Sequence, residues 1–146
     1  LEETKNIANR LLQLAFDGEF YIDDFIINES EFRIPCTGRG EQNHDVQTAS
    51  GGERIMASLA MSFALIQQSN YQYNIILLDE MDGELDKRNR KLFLHILEKQ
   101  CSVLHSEQIF VITHNNEFDS YPGDLILLNG HDVENYNNKN VIFQYQ

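Results

Sequence analysis

The chain has 146 residues, the usual length of a single globular domain. Hydrophobic residues make up 42% of it and charged residues 23%, a balance that excludes a disordered tail or a fibrous repeat. Eleven basic residues against 23 acidic residues give a net charge of −12. That charge excludes a nucleic-acid-binding surface over the whole domain, so any DNA contact is expected to be local or made through another chain.

The sequence composition also indicates the cellular compartment of the protein. No apolar run approaches the ~18 residues that span a bilayer, and the first ten residues lack the basic start and apolar stretch of a secretory signal. Cys36 and Cys101 lie far apart, without the spacing of a zinc site or the density of a disulfide-stapled domain. We therefore expect a cytoplasmic protein with reduced thiols and no membrane contact.

The first third of the chain predicts a helix, a hairpin and a loop. Residues 1–16 carry apolar side chains at helical spacing, and Asp17-Gly18 then supplies a stop. Residues 20–27 and 32–34 are short runs of aromatic and β-branched residues, which indicates a hairpin. Residues 35–48 are polar and show no period, so we predict an exposed loop.

Helices and strands then alternate. We predict helices over residues 51–68 and 87–104, and strands over residues 75–78, 109–112, 124–128 and 141–145. The continuous apolar runs 75–78 and 109–112 are typical of strands buried on both faces of a parallel sheet. This order predicts an α/β domain with a mostly parallel sheet flanked by helices.

The start of the second helix carries the first candidate site. Ser50 and Glu53 have capping-box spacing, and Gly51 and Gly52 between them let the backbone approach a ligand. Helix N-termini favour anions, so a phosphate fits there. An ordinary capped helix explains the same residues, and the motif by itself favours that interpretation.

Acidic residues follow the strand over residues 75–78. Asp79 could hold Mg²⁺ while Glu80 positions or deprotonates a water that attacks a γ-phosphate. An acidic surface loop is the simpler interpretation. Asp86, at the end of this acidic stretch, is either the N-cap of the next helix or a residue that reaches a neighbouring active site.

A histidine follows the strand over residues 109–112. His114 could hydrogen-bond a γ-phosphate or the attacking water, although a lone histidine is more often structural. We assign a structural role to the other four histidines, which are His44, His95, His105 and His131.

In order and spacing these motifs resemble one superfamily. ASGGER, IILLDE, DGELD and VITH are similar to the signature motif, Walker B, D-loop and switch histidine of ABC-type ATPase heads. The 29 residues from Ser50 to Asp79, and Glu53 in place of glutamine, resemble coiled-coil heads more than transporters. These heads belong to structural-maintenance-of-chromosomes (SMC) proteins and to the related ATPases that partner repair nucleases. Some sequence features favour the SMC subfamily, and others favour the repair-type ATPases.

The resemblance implies the C-terminal half of an ABC-type P-loop ATPase head, with residues 1–16 as the end of a coiled-coil helix and 17–146 as the ATPase lobe. It implies ATP and Mg²⁺ as cofactors. Ser50 and Gly52 would contact the γ-phosphate of ATP held by an opposing head. Gly51 and Glu53 would belong to the same nucleotide-binding set.

The resemblance also gives the remaining motif residues their roles. Asp79 would support Mg²⁺, and Glu80 would be the catalytic base. Asp86 would cross the dimer interface as the D-loop residue. His114 would sense the γ-phosphate.

A P-loop is the missing part, since the sequence contains no G-x-x-x-x-G-K-[S/T] and no glycine followed by lysine. We expect the chain to be half of a head that needs an N-terminal P-loop lobe as partner. The resemblance further implies an ATP-dependent dimer with a second head, DNA contact through the assembled complex, and a kleisin-type or nuclease subunit. The process would be DNA organisation, repair or defence.

Two other functions stay open. A metal-dependent nuclease could use the carboxylates of Asp79, Glu80, Asp82, Glu84 and Asp86 as a two-metal site. Alternatively, the chain could be a lobe that binds ATP without hydrolysing it, although Asp79, Glu80 and His114 argue against such degeneration.

Overall fold

The computed structural model describes residues 1–38, 40–114, 124–128 and 141–144. Contacts divide the chain into two units, Leu1–His114 and Asn115–Gln146. The helices are α1 Glu2–Phe16, α2 Gly51–Gln68 and α3 Lys87–Val103, with a 3₁₀ turn at Val46–Thr48. The strands are β1 Phe20–Ile22, β2 Ile26–Ile27, β3 Phe32–Arg33, β4 Pro35–Gly38, β5 Glu41–Asp45, β6 Ile75–Asp79, β7 Gln108–Ile112, β8 Leu125–Leu128 and β9 Val141–Gln144.

The structure confirms the helix predicted over residues 1–16 and limits the predicted hairpin to β2 and β3, because β1 pairs with β4 instead. α1 ends at Phe16, and Asp17 caps it by donating its N–H to the Gln13 carbonyl, while its left-handed backbone (φ 52°) turns the chain out of the helix. The Asn9 side chain exchanges two hydrogen bonds of 2.8 Å with the backbone of Ile22, which ties α1 to β1. β2 pairs with β3 in antiparallel register, as expected for a hairpin.

Residues 35–48 do not form the predicted exposed loop. β4 lies between β1 and β5 in a three-stranded antiparallel sheet, and Cys36 within it is fully buried. Gly38, which the sequence pattern assigned to a loop, instead lets the Phe20 ring lie against the strand, because an added Cβ would stand 2.7 Å from that ring. The strand exists through this packing rather than through an apolar pattern of its own.

The prediction of a mostly parallel sheet is also wrong. Pairing is antiparallel in β1-β4-β5 and in β2-β3, and it is parallel in β6-β7 and in β8-β9. Short connections between the early strands permit antiparallel neighbours, whereas the crossover through α3 returns β7 parallel to β6. Both predicted C-terminal strands are present as β8 and β9, while His131 lies outside the described residues.

Strand β6 is buried on one face only, contrary to the prediction from its apolar run. Ile76 and Leu78 are each 8% exposed, whereas Ile75 and Leu77 are 58% and 64% exposed. Beside them on β7, Phe110 and Ile112 are also exposed. One face of the β6-β7 pair therefore presents apolar side chains to solvent.

The core lies among the three helices and the antiparallel sheet. α1 contacts α2, α3 and β1, and the largest fully buried side chains include Phe20, Phe63 and Phe93. α2 begins at Gly51 because Ser50 and Glu53 form a complete capping box. α3 begins at Lys87 because the Asp86 side chain accepts a hydrogen bond of 2.7 Å from the Asn89 N–H.

A search of the described residues finds no helix with the length and hydropathy needed to cross a bilayer.

The Cys36 thiol should make the free energy of unfolding depend on pH in the alkaline range. Burial, assisted by the nearby carboxylates of Asp23, Asp45 and Glu53, raises the pKa of this thiol from 9.0 to about 11. Because the unfolded chain loses this proton first, the free energy of unfolding should fall as pH rises from 9 to 11. Urea titrations should show a smaller fall in Cys36→Ala and an unchanged one in Cys101→Ala. Equal slopes in all three proteins would contradict the assignment.

The cap of α2 should contribute measurably to stability. Ser50→Ala removes the hydroxyl that accepts from the Glu53 N–H, so we expect the free energy of unfolding to drop by about 1 kcal/mol. Ser62→Ala is the matched control, because the Ser62 hydroxyl donates to the Ser58 carbonyl and Ser62 is exposed in mid-helix. The prediction fails if both variants unfold at the same urea concentration.

Candidate functional site

The ends of β6 and β7 bring two predicted site residues together. The strands run parallel and finish side by side, with Asp79 opposite Ile112. The Glu80 N–H then donates to the Ile112 carbonyl at 2.9 Å. Beyond this bond, Glu80 Oε1 lies 2.6 Å from His114 Nε2. The carboxylate and the imidazole therefore meet at one edge of the sheet, where both side chains are exposed.

Glu80 has an unusual backbone conformation. Its φ of 52° lies in the left-handed region, which costs a residue other than glycine about 1 kcal/mol. Two turns follow at once, with the Gly83 N–H donating to the Glu80 carbonyl and the Leu85 N–H to that of Asp82. Strain of this kind persists only where surrounding contacts impose it, and it is common at functional sites.

Asp79 fits a magnesium site only in part. It is the last residue of β6, is exposed and lines the same cleft as Glu80. Mg²⁺ commonly takes one or two carboxylates and completes its shell with phosphate oxygens and water. Among the described residues, no three His, Cys, Asp or Glu side chains lie close enough to hold a metal by themselves. Asp79 is therefore suited to a metal that arrives with a nucleotide.

A cleft of about 410 Å³ is lined by the first turns of α2 and the loop after β6. Its lining residues are Arg54, Ile55, Ser58, Asp79, Glu80, Met81, Gly83 and Glu84. The predicted magnesium ligand and the predicted base thus face the helix that begins at the glycine pair.

The N-terminus of α2 is an internally bonded cap. Glu53 is 8% exposed, and its Oε2 accepts hydrogen bonds from both the N–H and the hydroxyl of Ser50. The capping interpretation of these two residues is therefore confirmed. Contact of Ser50 and Glu53 with a phosphate stays a prediction. Because Glu53 is buried, it would act from below the first turn of the helix rather than at the exposed surface of that turn.

Both glycines of the α2 N-terminus lie against neighbouring segments. A Cβ on Gly51 would collide with the Glu84 carboxylate, and one on Gly52 would stand 3.1 Å from Asn89 Nδ2. Arg54 Nη2 donates to Glu84 Oε2 at 3.0 Å. The start of α2 and the acidic loop therefore contact each other within one chain.

The acidic residues after β6 do not form a two-metal site. Asp82 is buried and accepts a hydrogen bond of 2.8 Å from the Thr113 hydroxyl. Glu84 pairs with a cation of α2, and Asp86 caps α3. Because each carboxylate serves a different contact, the arrangement does not support the nuclease hypothesis. The capping role of Asp86 is confirmed, and its place at a dimer interface stays a prediction.

Sequence reasoning missed the contacts that support the site. Arg54, Glu84 and Thr113 lie within the motifs ASGGER, DGELD and VITH, but the sequence does not predict which side chains they contact. Asp82 was grouped with the acidic cluster because burial of one carboxylate among exposed ones leaves no trace in the sequence.

Curated relatives are ATPases and chromosome proteins. The chain is 31% identical to the DNA double-strand break repair Rad50 ATPase of Sulfolobus acidocaldarius over 86% of its own length and 14% of that protein. It is 28% identical to the chromosome partition protein Smc of Chlorobaculum tepidum over 74% of its length and 9% of that protein. The chain thus spans a small part of the relatives that it matches.

Solved structures agree with this likeness. The SMC head domain from Thermotoga maritima matches with a TM-score of 0.58 and 27% identity, over 83% of this chain and 41% of that one. A Pyrococcus furiosus Smc head bound to the C-terminal domain of ScpA matches in fold, with a TM-score of 0.60, 21% identity, and 79% and 29% coverage.

A family model covers most of the chain. The model for the RecF/RecN/SMC N terminal domain matches residues 3–126. The chain therefore belongs to the RecF/RecN/SMC N terminal domain family and has the α/β fold of SMC ATPase heads.

Proposed function

We propose that the chain is the C-terminal lobe of an SMC-like ATPase head and completes an ATP-hydrolysing site with a P-loop lobe and an opposing head. The relatives that are similar to this chain include ATPases, and this supports nucleotide hydrolysis in general. The order of the four motifs and the lack of a P-loop sequence support the C-terminal assignment. The exposed apolar face of Ile75, Leu77, Phe110 and Ile112 supports a surface that the P-loop lobe covers.

The contact between Glu80 and His114 is the observation that carries this proposal. A carboxylate held by an imidazole 2.6 Å away, at the carboxyl edge of a parallel strand pair, can accept a proton from an attacking water. Asp79 beside it would hold Mg²⁺, which neutralises phosphate charge when bound. His114 would orient Glu80 and sense the γ-phosphate.

The N-terminus of α2 would serve the nucleotide of the opposing head. The first N–H groups of a helix have no partner within it, which favours an anion at this end. Because Glu84 and Asn89 lie against Gly51 and Gly52, the phosphate would approach beside these side chains or displace them. The Ser50 hydroxyl donates to Glu53, so a phosphate contact through its proton would require that bond to exchange. Asp86 would reach across the same interface.

Partners follow from charge and from similar proteins. With a net charge of −12, the chain would contact DNA through the assembled complex rather than through its own surface. The similar Smc head bound to ScpA supports a kleisin-type subunit, whereas a nuclease subunit is implied only by the resemblance of the motifs. DNA organisation, repair or defence is the process in which such a complex would act.

Glu80→Gln should abolish most hydrolysis. In the head assembled with its P-loop lobe, we expect turnover to fall by ~10²–10⁴-fold, because a general base is lost, while ATP-dependent dimers persist. Steady-state phosphate release checks the rate, and light scattering checks the dimers. Glu98→Gln, an exposed change on α3, is the matched control. Normal turnover of Glu80→Gln would end the assignment.

Ser50→Arg should abolish ATP-dependent association. The long cation would occupy the space where the opposing nucleotide must meet the start of α2, so light scattering should show monomeric heads with ATP. Ser62→Arg places the same side chain on the exposed face of the same helix and should still give dimers. If both variants dimerise like the unaltered head, the signature role of Ser50 is wrong.

A further inference from the structure

The loop between β6 and α3 contains one carboxylate in an unexpected place. Asp82 is 1% exposed, whereas Glu80 and Glu84 on either side of it are exposed. Burial of a charged group is unfavourable unless the protein supplies hydrogen bonds and opposite charge. The contacts of Asp82 therefore indicate what its burial achieves.

Asp82 connects three segments of the fold. Its Oδ2 accepts a hydrogen bond of 2.8 Å from the Thr113 hydroxyl at the end of β7. The guanidinium of Arg90 on α3 lies 3.9 Å from the same oxygen and donates to the Leu85 carbonyl at 3.0 Å. Loop, strand end and helix are thus joined around one buried side chain.

The positions of these residues relate the contact to the candidate site. Asp82 is two residues after Glu80, and Thr113 is the residue before His114. We infer that Asp82 and Thr113 form a clamp that positions Glu80 and His114 for proton transfer from the attacking water. Both are positioning residues, and the inference rests on the proposed function.

The exposed contact between Glu80 and His114 leaves a positioning role for the clamp. Glu80 and His114 have side chains that are 58% and 82% exposed, and exposed charged pairs contribute little to conformational order. The left-handed backbone of Glu80 must also be imposed by neighbours. A part-buried hydrogen bond to a carboxylate is stronger than an exposed pair, so the Asp82 contact can help to impose both, together with the backbone bonds from Glu80 to Ile112 and from Gly83 to Glu80.

Thr113→Val tests the clamp, because it removes the hydroxyl and keeps the shape. In the assembled head we expect kcat to fall by about 10-fold or more, as for other small misplacements of reacting groups, with KM for ATP within about twofold. Thr113→Ser should restore kcat to within about threefold. Thr37→Val is the matched control, because it breaks the same kind of bond, from Thr37 to Asp23 at 2.9 Å in the antiparallel sheet. It should leave kcat unchanged.

A double variant separates positioning from general support. If Thr113 acts through Glu80, adding Thr113→Val to Glu80→Gln should cause no further loss in single-turnover rate. A further loss equal to that of Thr113→Val alone would overturn the clamp. A normal kcat in Thr113→Val, measured beside an inactive Glu80→Gln, would also overturn the clamp. That result would leave the proposed function supported. Normal turnover in Glu80→Gln itself would instead defeat the proposed function.

Thermal stability is measured together with kcat, so that a lost positioning contact can be distinguished from a weakened fold. Thermal unfolding of Thr113→Val and Thr37→Val shows whether the two lost bonds weaken the fold alike. If Thr113→Val does not fold, Thr113→Cys replaces it, because a thiol is a much weaker donor of similar size. We then expect kcat to fall by about threefold or more, and an unchanged kcat would overturn the inference.

Discussion

Five in-register pairs between β6 and β7, from Ile75 with Gln108 to Asp79 with Ile112, determine where the candidate site residues that follow these strands lie. Since both strands end at the same edge, Glu80 and His114 leave the sheet as neighbours although 34 residues separate them. A slip of one residue would turn every side chain of the slipped strand to the opposite face. The site therefore depends on backbone pairing before it depends on any side-chain contact.

Contacts around the next loop convert this pairing into a defined site. The buried Asp82 joins the loop to β7 and α3, and Glu84 joins it to the first turn of α2 through Arg54. One surface of the loop thus faces the carboxylate and imidazole, and another faces the glycine pair. In the proposed dimer these two surfaces would serve different nucleotides, so the loop would contact both.

Much of the helical part of the fold was predictable, because its signals are local. Ser50 with Glu53 and Asp86 with Asn89 set the starts of two helices through bonds within four residues. The antiparallel strand β4 was not predictable, because its burial comes from the Phe20 ring on Gly38 and from pairing on both sides. A polar segment of this kind is indistinguishable from a loop until its neighbours are known.

The sequence by itself determined the order of helices and the two apolar strands, the caps, and the motif residues that the site brings together. These features follow from spacing along the chain, which covalent geometry converts directly into helix and strand positions. Only the tertiary structure decided that β6 is covered on one face, that the early strands pair antiparallel, and that Asp82 is buried while Glu80 is exposed. Burial and pairing are decided by what the rest of the chain packs against, and no short stretch of sequence carries that information.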